Sequence, residues 1–190
     1  MTAIYNGLIP VMWLTWLAYW ILASFTVKPA RRRESLLSRA TYLTPLLIGA
    51  WLLSTERAVP VWLSAPVLPR TLAEFWLGAV LVAACLAVAI WARRHLADYW
   101  SGTVTLKEGH ELIRTGPYGW VRHPIYSGLL LALAGSAVAL DEWRGLIGLA
   151  LVAASFWHKL RIEESWLSAA FPDQYPRYLT EVAALIPGVL

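Results

Sequence analysis

The chain has a single cysteine, Cys85, among 190 residues. An intramolecular disulfide is therefore excluded, and a zinc site has no cysteine pair to use. Inside an apolar run, Cys85 suits the role of a small packing residue. There is no glycine-rich phosphate loop of the Walker or dinucleotide type. Ser127 stands in no nucleophile-elbow pattern. The histidines His95, His110, His123 and His158 are scattered, with no His-x-x-x-His pair on an expected helix, so no metal is expected. The formal charge of +4 comes without an aromatic-basic surface module, which argues against nucleic acid as a partner.

Apolar and aromatic residues dominate instead. Hydrophobic residues make up 58% of the chain and mean hydropathy is +0.54, beyond the range of ordinary soluble domains. Tryptophan is abundant, with 12 residues. Trp13, Trp51, Trp91, Trp143 and Trp157 fall near the ends of apolar runs, where an indole can bury its ring and keep its N–H wet. The pattern predicts an all-α, polytopic membrane protein forming one domain over residues 1–190.

About five transmembrane helices are expected, over residues 8–27, 36–54, 71–92, 124–140 and 146–160. Residues 1–6 hold no basic residue and the first run is longer than a signal-peptide core, so it is expected to remain as a span. Residues 59–69 hold three prolines and are expected to form an interfacial loop or a broken helix. The tight connection around Asp141 and Glu142 predicts an antiparallel hairpin of the last two spans. Beyond them, Leu167, Phe171, Tyr175, Tyr178, Val182 and Leu185 recur at helical steps. Pro172 and Pro176 divide that stripe into two short helices. With the N-terminus outside, thirteen Lys/Arg fall on the cytoplasmic side and only Arg57, Arg70 and Arg144 outside. Residues 1–95 then form a three-span region, and residues 96–190 hold two spans and the C-terminal helices.

Two polar groups converge at the cytoplasmic side of this topology. Tyr118, Arg122, His123 and Tyr126 enter the fourth span, and Lys159, Arg161, Glu163 and Glu164 leave the fifth. Titratable groups at a membrane boundary are costly to desolvate and usually mark a site. The glutamates could pair with Arg122 and His123, or hold a cationic ligand. Taken one at a time, the same residues also read as flanking charges, interfacial tyrosines and an ordinary Lys159–Glu163 helical pair.

The segment Gly116-Pro117-Tyr118-x-x-Val121-Arg122-His123-Pro124-x-Tyr126-x-Gly128 resembles the signature of the isoprenylcysteine carboxyl methyltransferase and phospholipid methyltransferase superfamily. A second stretch, Glu163-Glu164-x-x-Leu167-x-x-x-Phe171 followed by Tyr175, Tyr178, Val182 and Ile186-Pro187, is similar to the family's second motif. Trp100-Ser101 and Glu108-Gly109-His110-Glu111-Leu112-Ile113 resemble its lead-in. The resemblance implies an integral membrane methyltransferase using S-adenosylmethionine at the cytoplasmic ends of the last spans. Carried over by position, Tyr118, His123, Pro124, Tyr126, Glu163 and Glu164 would form the cofactor pocket. Arg122 would brace the loop or meet a carboxylate, and Leu185 to Pro187 would close the adenine side. Pro172 stands where the family commonly has glycine, which changes the turn after Phe171.

The acceptor class implied is a prenylated cysteine carboxylate, or a similar prenylated or thiol compound, arriving laterally from the bilayer. A carboxylate acceptor needs a cation, which Lys159 or Arg161 would supply. A thiol or amine would need Glu163, Glu164 or His123 as base. A phospholipid amine methyltransferase, an NADPH-dependent membrane reductase and a non-catalytic membrane subunit are the alternatives. Membrane lipids are the expected surroundings, with no obligate protein partner.

Overall fold

In a computed structural model, residues 2–25, 30–55, 59–68, 71–100, 105–107 and 112–189 are described. Among the described residues six helices carry the fold: α1 (Thr2–Ser24), α2 (Leu36–Ser54), α3 (Leu72–Leu96), α4 (Pro124–Leu140), α5 (Trp143–Ala170) and α6 (Tyr175–Glu181). Helices α1, α2, α3 and α5 are long and apolar enough to cross a membrane, and α4 is a shorter apolar helix. The chain is an integral membrane protein of all-α class. Short 3-10 turns lie at Val61–Ser64, Ala97–Tyr99 and Gly116–Gly119. The first lies within the proline-rich stretch expected to form an interfacial loop or a broken helix.

One element was not expected. Strand β1 (Ala30–Arg33) pairs antiparallel with β2 (Thr105–Lys107), tying the α1–α2 connection to the segment after α3. The lead-in residues Ser101 and Glu108 to Glu111 lie outside the described residues.

Local chemistry sets the helix ends. Ser35 caps α2 by accepting from the Ser38 N–H at 3.2 Å. Thr71 and Glu74 form a reciprocal capping box at the start of α3. Arg93, Arg94 and His95 occupy its last turn, where positive charge complements the helix dipole. Pro124 starts α4 in the first turn, which needs no N–H donor. Asp141 ends α4 in the left-handed region, with φ 47° and ψ 49°. Only Asp141 and Glu142 separate α4 from α5, so the two helices form the expected hairpin.

Two helix pairs make the body. Helices α3 and α4 pack together through Gly78 and Gly135, and α2 and α5 through Gly49 and Gly148. A Cβ on Gly49 would stand 2.6 Å from the Gly148 carbonyl oxygen, and one on Gly148 would stand 2.7 Å from that of Gly49. Small residues at such crossings let helix backbones approach closely in lipid. Val82, Ala89, Ala92 and Ala132 are fully buried between α3 and α4. Arg144 locks the far end of α5 to α2, donating to Glu142 Oε2 at 2.5 Å and to the Leu52 carbonyl at 3.0 Å.

Helix α1 stands apart. Its apolar window is exposed on the protein surface, and Trp13, Trp16 and Trp20 form its contact face. The Trp13 indole donates to Ser136 Oγ on α4 at 3.0 Å, and Arg93 on α3 donates to the Ala23 carbonyl at 2.7 Å. α1 is thereby held at its middle and at its C-terminal end, with its tryptophan face on an internal space.

Candidate functional site

The site is built where the start of α4, the last third of α5 and the C-terminal segment meet. Gly116 has φ +59°, and a Cβ there would come 2.7 Å from the His95 ring, so only glycine makes this turn. The following segment pairs with the C-terminus. The Arg122 N–H donates to the Ala183 carbonyl at 2.8 Å and the His123 N–H to that of Ala184 at 3.0 Å. Ser127 Oγ donates to the Leu185 carbonyl at 2.6 Å. The Arg122 guanidinium reaches the carbonyls of Leu179, at 3.2 Å, and Val182. It thus satisfies acceptors that α6 leaves open at its C-terminal end.

Glu164 is the hub of this arrangement. Its Oε1 accepts from Arg122 Nε at 2.9 Å and lies 3.2 Å from His123 Nε2. The neighbouring Glu163 turns the other way. Its Oε1 accepts the Tyr126 hydroxyl at 2.8 Å and stands 3.9 Å from Lys159 Nζ. Its Oε2 lies 3.8 Å from His123 Nδ1. His123 therefore sits between two consecutive carboxylates. Its ring stacks on Tyr126, with centroids 5.4 Å apart and planes 7° apart, and Tyr126 stacks on Phe156 at 4.8 Å.

The tyrosines Tyr118, Tyr175 and Tyr178 lie outside the membrane-length helices and close the site. Burial pushes the hydroxyls of Tyr118 and Tyr175 up from their ordinary range. That of Tyr178 is pushed up to about 12, chiefly by burial and against the nearby Arg122 and Arg114. All three stay protonated at neutral pH. Tyr178 donates to the Tyr118 carbonyl at 2.5 Å, tying α6 to the turn before α4.

A cavity of about 1510 Å³ opens from this cluster. Tyr118, His123, Tyr126, Lys159 and Glu163 line its polar end, with Trp166 and Tyr175 beside them. Trp16, Trp20, Leu46, Leu133 and Phe156 make its apolar middle, and Glu74, Asp141 and Arg144 its far end. The space thus runs between the two helix pairs, with α1 as one wall.

The sequence-based candidates separate here. Tyr118, Arg122, His123, Tyr126, Lys159 and Glu163 line the cavity, and Glu164 braces them from behind. Pro124 is buried at the start of α4. Arg161 is exposed on the opposite face of α5 and does not line the cavity. Leu185 contributes a backbone carbonyl, while Pro187 is exposed, and neither lines the cavity. The turn at Pro172 forms without glycine, because the Phe171 carbonyl accepts from both Gln174 and Tyr175. Sequence reasoning missed Tyr42 and Glu34, which lie behind Lys159; the lone acid after Arg31, Arg32 and Arg33 was the available signal.

Residues 76–169 match the model of the isoprenylcysteine carboxyl methyltransferase (ICMT) family. Residues 76–169, just under half of the chain, thus group with the ICMT superfamily. Among curated proteins it is similar to the uncharacterized protein YpbQ of Bacillus subtilis, 34% identical over 61 residues, which is 32% of this chain and 36% of that one. It is also similar to the protein-S-isoprenylcysteine O-methyltransferase of Saccharomyces cerevisiae, 34% identical over 87 residues, 45% of this chain and 36% of the relative. The matched stretch thus spans little more than a third of either relative. A solved structure of the eukaryotic intramembrane Ras methyltransferase ICMT is 26% identical. It covers 80% of this chain and 52% of that one, with a TM-score of 0.43. The match to the family model takes in α4, nearly all of α5 and most of α3, including the elements that carry His123, Tyr126, Lys159 and both glutamates.

Proposed function

We propose that this protein transfers a methyl group from S-adenosylmethionine to a lipophilic acceptor, foremost the carboxylate of a prenylated cysteine or a related prenylated or thiol compound. The observation that carries this reading is the meeting of His123, Tyr126, Lys159 and Glu163 at one end of a long, otherwise apolar cavity. The bound cofactor would supply an electrophilic methyl on a cationic sulfonium.

The residues present fit such a group. Glu163 offers a carboxylate at the cavity wall for an ammonium or ribose hydroxyls. Tyr118, Tyr126 and Trp166 offer flat apolar faces beside it. Arg122 and Glu164 hold the binding loop against α6. Pro124, Leu185 and Pro187 shape that loop and its C-terminal neighbour from outside the cavity.

Lys159 faces the same space and would orient an acceptor carboxylate; Arg161, on the other face, would not. The attraction is strong because the surroundings are poor in water. For a thiol or amine acceptor, Glu163 or His123 would take the proton. Trp16, Trp20 and Leu133 would receive the apolar tail and exclude water, so that positioning supplies most of the rate enhancement. The whole chain acts as one membrane domain, with the N-terminus outside and the polar end of the cavity cytoplasmic.

Binding of labelled S-adenosylmethionine and of NADPH by the purified protein separates the reading from a reductase. Methyl transfer to a farnesylcysteine analogue then tests the acceptor. Lys159→Met should depress turnover and spare cofactor binding. NADPH binding without S-adenosylmethionine binding would overturn the reading. Transfer to an aminophospholipid and not to the analogue would replace the acceptor.

A further inference from the structure

Lys159 does not meet the cavity as a loose cation. Its Nζ lies 5.4 Å from the centre of the Tyr126 ring and 5.4 Å from the centre of the Tyr42 ring. The ammonium thus faces two aromatic rings, one from α4 and one from α2, with Glu163 Oε1 at 3.9 Å. Each ring belongs to a tyrosine whose hydroxyl donates to a glutamate: Tyr126 to Glu163 at 2.8 Å, and Tyr42 to Glu34. A hydroxyl that donates to a carboxylate pushes electron density into its ring. That strengthens the negative ring face that attracts a cation.

Tyr42 is fixed on every side. It is 1% exposed, and Glu34 is also buried. The second oxygen of Glu34 accepts from Ser38 Oγ at 3.0 Å, and Arg39 stands 3.9 Å from the first. The Tyr42 carbonyl accepts from Ser155 Oγ of α5 at 2.6 Å, one turn before Lys159. Glu34 directly follows β1, so the ribbon with β2 also sets its place. Tyr42 does not line the cavity, and it lies outside the stretch that matches the family model.

We infer that Tyr42, held by Glu34, is a positioning residue that sets the Lys159 ammonium against the acceptor carboxylate. The inference rests on the proposed acceptor class. Its physical basis is a cation–π clamp that keeps a flexible four-carbon stem in one direction, saving the ordering cost that acceptor binding would otherwise carry.

The test is a double-mutant cycle on the full chain with Tyr42→Leu, Lys159→Met and the pair, read by thermal unfolding and by steady-state kinetics with a farnesylcysteine analogue. Tyr42→Leu should raise the acceptor KM roughly tenfold, the size of a desolvated cation–π contact, and leave the S-adenosylmethionine Kd unchanged. Tyr42→Phe, which keeps the ring but not its tie to Glu34, should recover only part of that loss. In the Lys159→Met background, Tyr42→Leu should add nothing to the KM, and its effect on the melting midpoint should shrink. Equal effects of Tyr42→Leu in both backgrounds would overturn the inference. If Tyr42→Leu does not fold, Glu34→Gln takes its place in the cycle with the same criterion. If wild-type protein ignores the analogue, the acceptor reading falls. The melting cycle alone then decides the clamp: non-additivity upholds it and additivity ends it.

Discussion

Replacing Glu164 with glutamine keeps the size of the side chain and removes one charge. In the structure Glu164 is 6% exposed and bridges Arg122 and His123, while Arg122 holds the carbonyls of Leu179 and Val182. A hydrogen bond to a charged group contributes about 1.5–3 kcal/mol and a neutral one about 0.5–1.5. Glutamine can still accept from one partner, so the two bonds together lose about 2 kcal/mol, below the 3–5 typical of stripping a buried charge of its partner. For a chain of this length that corresponds to a fall of about 4–8 °C in Tm. The readout is thermal unfolding followed by tryptophan fluorescence, with limited proteolysis of the C-terminal segment at a temperature below the transition. Faster cleavage after Phe171 is expected, because Arg122 is one of the ties that fasten α6 and the segment after it. Glu163→Gln is the control. It touches neither Arg122 nor the C-terminal segment, so it should weaken cofactor binding and leave cleavage after Phe171 unchanged, whatever Tm it loses with the Lys159 pair. A Tm within about 1 °C of wild type for Glu164→Gln, with unchanged proteolysis, would refute the bracing role.

Gly49→Val would force the Gly148 carbonyl away and should cost about 1–3 kcal/mol or block folding, whereas Gly7→Ala, with nothing within 4 Å of its Cβ, should be silent; comparable melting midpoints would contradict the α2–α5 crossing. Tyr178 has its hydroxyl raised from 10.0 to about 12, so its stabilising contribution is complete below pH 10 and disappears as pH rises through 12. Melting curves across that window should fall less steeply in Tyr178→Phe than in wild type, and an identical slope would count against the Tyr178–Tyr118 tie. Reporter fusions after Arg33 and Leu190 should read cytoplasmic and one after Trp143 external; an external C-terminus would overturn the orientation.

The apolar runs were legible because lipid imposes length and hydropathy directly. Helices α2, α3 and α4 begin and end within a few residues of the expected spans. The helix that carries the last expected span runs well beyond it. Lys159, Arg161, Glu163 and Glu164 look like the end of a membrane helix, yet α5 continues to Ala170. Its two glutamates are paired with Arg122, His123 and Tyr126, and sequence spacing along one helix does not report partners on another. The convergence of the two polar groups was legible because a two-residue hairpin leaves no other arrangement for α4 and α5. The β1–β2 ribbon was not: Ala30–Arg33 carries three arginines and no apolar alternation, so its pairing depends on where α3 returns the chain. Tyr42 was invisible for the same reason. Its partners lie on α5 and just before α2, and its neighbours in the chain are ordinary membrane-helix residues.

The Lys159–Glu163 pair explains how a charged site can stand at the end of an apolar cavity. Alone, either ion would be costly to bury; at 3.9 Å each compensates the other before any ligand arrives. Under the proposed reading the pair exchanges partners rather than losing them. Glu163 turns to the cation of the cofactor and Lys159 to the carboxylate of the acceptor, so the number of buried charges that lack a partner does not rise. The exchange is possible only because neither residue depends on the other for its place. Glu163 keeps the Tyr126 hydroxyl, and Lys159 keeps the rings of Tyr42 and Tyr126. It follows that Lys159→Met should not weaken cofactor binding, since Glu163 would gain a reason to hold a cation. A clear loss of S-adenosylmethionine affinity in that variant, at unchanged Tm, would mean that Lys159 itself holds part of the cofactor, and the partner-exchange argument would fail.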